Sequence, residues 1–429
     1  MATGNASDAQ SIYRFWSNPK VSAEAIVNSH AEETASRALA CQTVLAIQDT
    51  TDLNYTSHRK TKGLGYLNQT KQQGIKVHSC FAVSGEGVPL GLLHQHCWVR
   101  PEAPQKKKKG EKKAPKKQGG KKPNQQKQPI ETKESYRWLS TLKTVEAKIA
   151  PTVQLVQVAD READIFELFA QPRQAHSELL IRAKVNRKVN HELGKLFATL
   201  KQAPVLGEMM VHVERTPKRP ARDAHLEVRG LQITLEVPKH LAKQPQLQLS
   251  PVTLKALLVA EIEPPADGGQ PICWRLLTSL PMDSFAQAAQ IIRWYSYRWL
   301  IERFHFTLKS GCKVEELQLQ QRDRLLKALA TYSIVAWRLM SMTYQARLNP
   351  EASCEVLLEP AEWRLLRRKF VPKSRSKKPP TLRQAMLWIA QLGGFLARKG
   401  DGEPGVKTLW RGYTKLHHLL EGAQLVSRR

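Results

Sequence analysis

Residues 106–133 read KKKKGEKKAPKKQGGKKPNQQKQPIETK. A segment with so few apolar side chains cannot bury enough surface to fold by itself. Any core must therefore be assembled from the chain on either side of it. Twelve lysines and two glutamates give the run +10 of the total formal charge of +29, so the rest is strongly basic as well. A solvated linker and a flexible arm adding non-specific phosphate contacts both fit this composition. A chain this basic attracts polyanions, nucleic acid first and an anionic membrane surface second. No stretch approaches the roughly 18–20 apolar residues of a spanning helix. The start, MATGNASDAQ, lacks the apolar core of a secretion signal. The expectation is a cytoplasmic protein associated with the bacterial nucleoid. Cys41, Cys80, Cys97, Cys273, Cys312 and Cys354 are scattered without a C-x-x-C pair, which argues against a disulfide framework or a zinc site.

Outside the Lys-rich run the pattern is that of a globular α/β protein. With 429 residues, 41% hydrophobic, there is material for a full core and one or two smaller domains. Thr43–Ile47 predicts a short strand ending at the polar Gln48-Asp49-Thr50-Thr51. Val77–Ser84 and Val88–Val99 predict two strands joined by Gly85-Glu86-Gly87. Tyr136–Ile149 reads as a helix, Val153–Ala159 as a strand ending at Asp160, Ala163–Ala170 as a helix, and Glu178–Lys184 as a strand. Alternation in 205–263, continued by Pro271–Ser279, predicts an antiparallel subdomain. One long helix is expected from Ser284 to about Ser310. Further helices are expected at Asp323–Ala346, Leu382–Leu396 and Thr408–Leu420, with PKSRSKKPP at 372–380 as a break. The expected division is a leading segment 1–40, a core in two parts (41–190 and 284–345), a β insertion at 191–283, and a helical domain at 346–429.

Three acidic residues carry the chemical argument. Asp49 and Asp160 each follow an apolar run, and the carboxyl ends of strands are where ligands and catalysts gather in open α/β sheets. Each would serve equally well as a turn residue or helix N-cap. In the predicted helix, Tyr295, Arg298, Glu302 and Lys309 stand at i, i+3, i+7 and i+14 and share one face. Taken alone, that is also the pattern of a solvated charged face. Taken together, three carboxylates from separate elements can hold two divalent metals about 4 Å apart, which activate a hydroxyl and stabilise a leaving oxygen. Mg²⁺ suits oxygen ligands and substrate phosphates. Arg298 in a bidentate fork, Lys309 as a point charge and Tyr295 can grip neighbouring phosphates.

At these residues the chain resembles the transposases of bacterial insertion sequences with an Asp-Asp-Glu triad, in the branch marked by a Tyr-Arg-Glu-Lys signature. The matching blocks are IQDTTDLNY (47–55), GLLHQHCWVRP (91–101), ADREADI (159–165) and WYSYRWLIERFHFTLKSG (294–311). YRFWSNPKVSAEAI (13–26), IRAKVNRK (181–188), RLLTSLPMDSFAQA (275–288) and LGGFLARKGDGEPGVKTLWRGY (392–413) extend the resemblance over most of the chain except the Lys-rich run. It implies an RNase H-like core, cut-and-paste chemistry and a C-terminal dimerisation domain. By the resemblance Asp49, Asp160 and Glu302 hold two Mg²⁺ ions, with Mn²⁺ as substitute. Tyr295, Arg298 and Lys309 contact DNA near the scissile phosphate. Trp274 is the ring on which a flipped base stacks, and Arg182 and Lys184 lie near the transferred end. The implied partners are double-stranded DNA, both transposon ends and target, and a second copy of the chain in the synaptic complex.

The sequence departs from the family in three places. Only residues 13–26 match the helical end-binding domain with which the family begins, so 1–40 reads as its remnant. The Lys-rich run is an addition. Phe306 replaces a basic residue. The short N-terminal match sets one alternative beside the transposase, a DNA-binding inhibitor acting through unproductive dimers. A general nuclease of RNase H-like fold is a further one, and the Trp274 match and the dimerisation tail argue against it.

Overall fold

The computed structural model describes residues 6–68, 71–101, 128–213, 221–265, 268–398 and 401–427. Most of the Lys-rich run, 106–127, lies outside them. At the centre is a sheet whose first strand, β1 (Thr43–Asn54), pairs on both sides. On one side it is antiparallel to β3 (Gln73–Ser84), which carries the short β2 (Gly65–Tyr66) and β4 (Pro89–Trp98). On the other it is parallel to β5 (Gln154–Ala159), itself parallel to β6 (Ser177–Arg182). A parallel neighbour requires a crossover rather than a hairpin. The connection from β4 to β5 carries α3 (Tyr136–Glu146), and the short helices α4 (Phe166–Ala170), α5 (Leu196–Gln202) and α6 (Lys239–Ala242) follow later in the chain.

The alternating segments after 205 form β7 (Val205–Val213), β8 (Arg222–Leu235), β9 (Val252–Glu261) and β10 (Cys273–Thr278). They are antiparallel to one another. They do not make a sheet of their own, because β10 also pairs with β6 and joins them to the core in one ten-stranded sheet. Periodicity within a strand reports its two faces but not its neighbours, so the sequence could not show this join.

Side-chain alternation sorts the two faces of β1. Val44 and Ala46 pack with Val145 and Ile149 of the α3 region. Leu45 and Ile47 pack with Phe81, Ile301 and Phe304 on the opposite face. That second face is covered by the segment expected to be one helix. It is instead α7 (Phe285–Ser296), α8 (Trp299–Phe306) and a π-helical turn, Thr307–Gly311. Between α7 and α8 the amides of Arg298, Leu300 and Ile301 bond to carbonyls three residues back, overwinding the chain there. At the π turn the Cys312 amide bonds to the Thr307 carbonyl at 2.8 Å, five residues back. Neither the tightening nor the widening changes the apolar spacing that predicted a single helix.

Two helices lead into the sheet, α1 (Ala6–Ser17) and α2 (Ala23–Ala38). Trp16 is buried and donates its indole N–H to Thr331 at 3.3 Å. α2 lies so close to β4 that a Cβ at Gly91 would sit 2.0 Å from Thr34 Oγ1. α9 (Arg322–Leu348) runs from the core into a C-terminal bundle of α10 (Pro360–Phe370), α11 (Leu382–Leu392) and α12 (Val406–Ser427). α10 is an addition to the sequence reading. Its signal was present as Glu359-Pro360 followed by Glu362, a capping box with Pro at the first turn. α11 and α12 cross at two glycines, since a Cβ on Gly412 would meet the Ile389 carbonyl at 1.7 Å and one on Gly393 the Thr408 carbonyl at 1.9 Å.

Candidate active site

The parallel register of β1 and β5 ends with Gln48 opposite Ala159. The next residue on each strand is an aspartate, so Asp49 and Asp160 stand side by side. Asp160 follows the end of β5, as expected. Asp49 does not end its strand; β1 continues five residues further, to Asn54, paired with β3. The polar run after Ile47 reads as a strand end, but pairing with β3 satisfies its backbone and carries the strand on. Asp49 has the parity of Leu45 and Ile47, and Asp160 that of Val156 and Val158, all four in the core packed against α8. Phe304 fixes α8 to the sheet by stacking on Phe81 with centroids 4.9 Å apart. With Leu300, Ile301, Phe304 and His305 buried, Glu302 is left at the rim of the helix.

Asp49 senses the other two carboxylates. Asp49 is pushed up to about 7, first by burial and also by the charges of Asp160 and Glu302, while the Thr50 amide and Arg298 pull it down. The Thr50 N–H donates to Asp49 Oδ1 at 2.8 Å. Asp160 Oδ1 accepts from the Glu162 amide at 2.8 Å, so it caps the short turn that follows it as well. Glu302 is ion-paired to Arg298, one turn back. Burial lowers the Arg298 pKa, but Tyr295, Glu302 and Asp49 outweigh it and raise the guanidinium above its ordinary range. His305 Nδ1 lies 3.7 Å from Asp49 Oδ2. Burial drives this imidazole down to about 3, so at neutral pH it brings Asp49 no compensating charge.

Among the described residues no three His, Cys, Asp or Glu side chains already converge at ligating distance, and the Glu302 carboxylate is engaged by Arg298. The donor set nevertheless fits a hard divalent cation. All its ligands are oxygens, and Asp49 is held back from ionising by burial and two neighbouring anions, a cost that a cation offsets.

Beside the carboxylates lies a cavity of about 420 Å³, lined by Arg182, Trp274, Tyr295, Arg298, Glu302 and Phe306 among others. Tyr295 meets Trp274 edge-on with centroids 5.1 Å apart. Arg182 is opposite Leu276 in the β6–β10 register, and its guanidinium donates to the Cys273 carbonyl at 3.0 Å. The Tyr295 phenol is raised by burial, against the opposing pull of Arg298 and Arg182. Five of the residues singled out in the sequence thus share one cavity.

The two remaining expected DNA contacts do not line it. Lys309 turns to β1, its ammonium donating to the Asp52 carbonyl at 2.6 Å. Because a π turn follows α8, position 309 does not continue the straight stripe drawn through Glu302. Lys184 is exposed on the loop after β6, and its amide donates to Asp164 Oδ2 at 2.7 Å.

Three features escaped the sequence reading. His305 stands against Asp49, on the face of α8 that i, i+3 spacing from Glu302 already indicates. Arg137 of α3 donates to Thr50 Oγ1 at 2.9 Å and to Glu162 at 2.8 Å, tying the middle of β1 to the turn after β5. The motif residues Asp164 and Arg187 form a buried pair at 2.5 Å. Nothing in the sequence marks these last residues as a pair.

A mixed sheet thus brings Asp49 beside Asp160, with Glu302 on the helix that covers the same face and a cationic and aromatic cavity alongside. Comparison with protein families gives the class. Residues 93–338, more than half of the chain, match the transposase DDE domain, and residues 334–428 match the transposase Tn5 dimerisation domain. The chain belongs to the DDE transposases, a DNA-cleaving and strand-transfer class, with a Tn5-type dimerisation domain at its C-terminal end. Asp160 and Glu302 lie inside the first matched segment, and Asp49 precedes it. No helix among the described residues is long and apolar enough to cross a membrane.

Proposed function

We propose that this protein is a cut-and-paste transposase, of the kind carried by the kanamycin-resistance composite transposon, with Asp49, Asp160 and Glu302 as its metal ligands on an RNase H-like core. The observation that carries this is the raised Asp49, whose charge is opposed by Asp160 and Glu302 from two other elements. The order of the strands supports the RNase H-like reading, with three antiparallel strands continued by two parallel ones. Bound Mg²⁺ supplies the Lewis acidity that makes a nucleophile of water or a 3′ hydroxyl and stabilises the departing oxygen.

The chain's own residues do the rest. Glu302 would hold the ion together with Asp49 and Asp160 once released from Arg298, and Arg298 would then be free to grip a phosphate of the incoming strand. Phe304 and the neutral His305 keep water from the inner side of Asp49. The cavity of Trp274 and Tyr295 accepts a base drawn out of the stack, with Arg182 and Arg298 at its mouth for the backbone. Lys309 and Lys184 flank the site as further phosphate contacts. The reaction sequence is nicking at the transposon end, hairpin formation, hairpin resolution and attack of the 3′ ends on target DNA, within a synaptic homodimer.

The test is a cleavage assay on a plasmid carrying the ends of the element, with Mg²⁺ or Mn²⁺. End-specific nicks and hairpins are expected. Dimerisation and DNA binding without any cut would make the protein an inhibitor of transposition instead. Cuts without regard to the ends would make it a general nuclease.

A further inference from the structure

A second cavity, of about 790 Å³, opens between the segment after α8 and the C-terminal bundle. Ser310 to Lys313 form one side of it. The first half of α12 forms the other, with half-buried Trp410 among Lys407, Arg411 and Lys415. The three cations are four residues apart, so they share a helix face and rise about 6 Å per step along the axis. All three are exposed, and among the described residues none has an ion-pair partner. The acid among the lining residues, Glu316, is already paired to Lys313 at 2.9 Å. Like charges at this spacing destabilise an isolated helix, so the row is unfavourable until an anion lies along it. Lys407 also sits over the Phe306 ring, 5.7 Å from its centroid, and Phe306 lines the cavity of Trp274 and Glu302. One contact therefore joins the rims of the two cavities.

We propose that this row is a DNA track. Lys407, Arg411 and Lys415 hold the sugar-phosphate backbone of a duplex that leaves the active-site cavity past Phe306 and runs over the C-terminal bundle. The inference rests on the function proposed above. A row of cations about 6 Å apart offers a separate charge to each of several phosphates along one strand. The contacts are to backbone alone and carry no sequence preference.

The experiment compares the full-length protein with the variant Lys407→Gln/Arg411→Gln/Lys415→Gln, measuring affinity for a duplex bearing the element's ends across a salt series. Each lost phosphate contact makes the slope of log K against log salt shallower by about 0.9, so a change of about 2.7 is expected, a roughly 40-fold smaller fall in affinity between about 50 and 200 mM salt. Lys407→Arg/Lys415→Arg keeps the wild-type slope. The same exchange at Lys373, Lys377 and Lys378, exposed between α10 and α11, leaves the slope unchanged. If the triple variant proves unstable, each single exchange is expected to remove about 0.9 from the slope. A wild-type slope in the triple variant, or an equal loss in the control, overturns the track while nicking by the wild type leaves the active-site reading intact. Wild-type protein that neither binds nor nicks removes both.

Discussion

Asp160 and Asp164 stand four residues apart in one motif, ADREADI, and the fold treats them in opposite ways. Asp164 is buried with every lone pair engaged. Its carboxylate accepts from the amides of Lys184 and Val185 and from the Arg187 guanidinium, itself packed over Phe169. Asp160 accepts one backbone amide, and no cation among the described residues lies within ion-pair distance of it. Both have acidic or basic neighbours in the sequence. What differs is that one anion is neutralised and the other is left, beside Asp49 and Glu302, with charge that only an added cation balances. The contrast separates an acid that holds a loop from an acid that we propose holds a metal ion.

Substitution breaks the contrast most sharply. Asp160→Ala, like Asp49→Ala and Glu302→Ala, is expected to abolish strand cleavage while DNA binding stays near wild type. Full cleavage by any of the three removes the metal-ligand assignment. Asp164→Ala is expected to do the reverse, lowering stability by about 3–5 kcal/mol in urea unfolding because Arg187 is left buried without its partner. A loss below about 1 kcal/mol would show that the pair is dispensable.

Asp49 sharpens the comparison through pH. Its folded pKa of about 7 lies above the ordinary carboxylate value, so between about pH 4 and 7 the folded chain keeps a proton that the unfolded chain has released. The stability this proton lends is full below about pH 4 and lost by pH 7. Asp49→Asn is therefore expected to match wild type near pH 4 and to exceed it by on the order of 2 kcal/mol at pH 8 without divalent ions. Mg²⁺ at a hundredfold above its Kd would restore about 2.7 kcal/mol to the wild type and far less to the variant. A variant less stable than wild type at pH 8 contradicts the account.

Two smaller effects follow at the cavity and its loop. Trp274→Ala is expected to weaken binding of a substrate with an unpaired base by about 1–3 kcal/mol, the worth of one stacked ring. Binding of a fully paired duplex should hardly change, and equal losses on both would make the indole a packing residue. Lys184→Ala is expected to make the salt slope of binding shallower by about 0.9. No change would leave Lys184 only the part its amide plays on Asp164.

Much of this was legible beforehand because the strands and helices write their periods into the chain. TVLAIQ and VQLVQVA read as strands, and the aspartates after them were marked by the change from apolar to polar. Glu302 was marked by its company of Tyr295 and Arg298. The break between α7 and α8 left no trace, since it contains neither Gly nor Pro and the apolar rows continue through it. His305 reads as one more residue of a buried face until Asp49 is seen opposite.

The sequence by itself determined local matters: which segments are extended or helical, which faces are apolar, and that a strongly basic chain carries Asp49 and Asp160 after two apolar runs and Glu302 on an amphipathic helix. These follow from periods of a few residues and from composition. The tertiary structure decided what depends on partners far along the chain. It joined β10 to β6, set Asp49 beside Asp160 through the register of parallel strands, and closed Trp274, Tyr295 and Arg182 into one cavity. It also neutralised Asp164 and left Asp160 bare. Charge compensation and register are properties of pairs, and a single sequence shows only one member of a pair at a time.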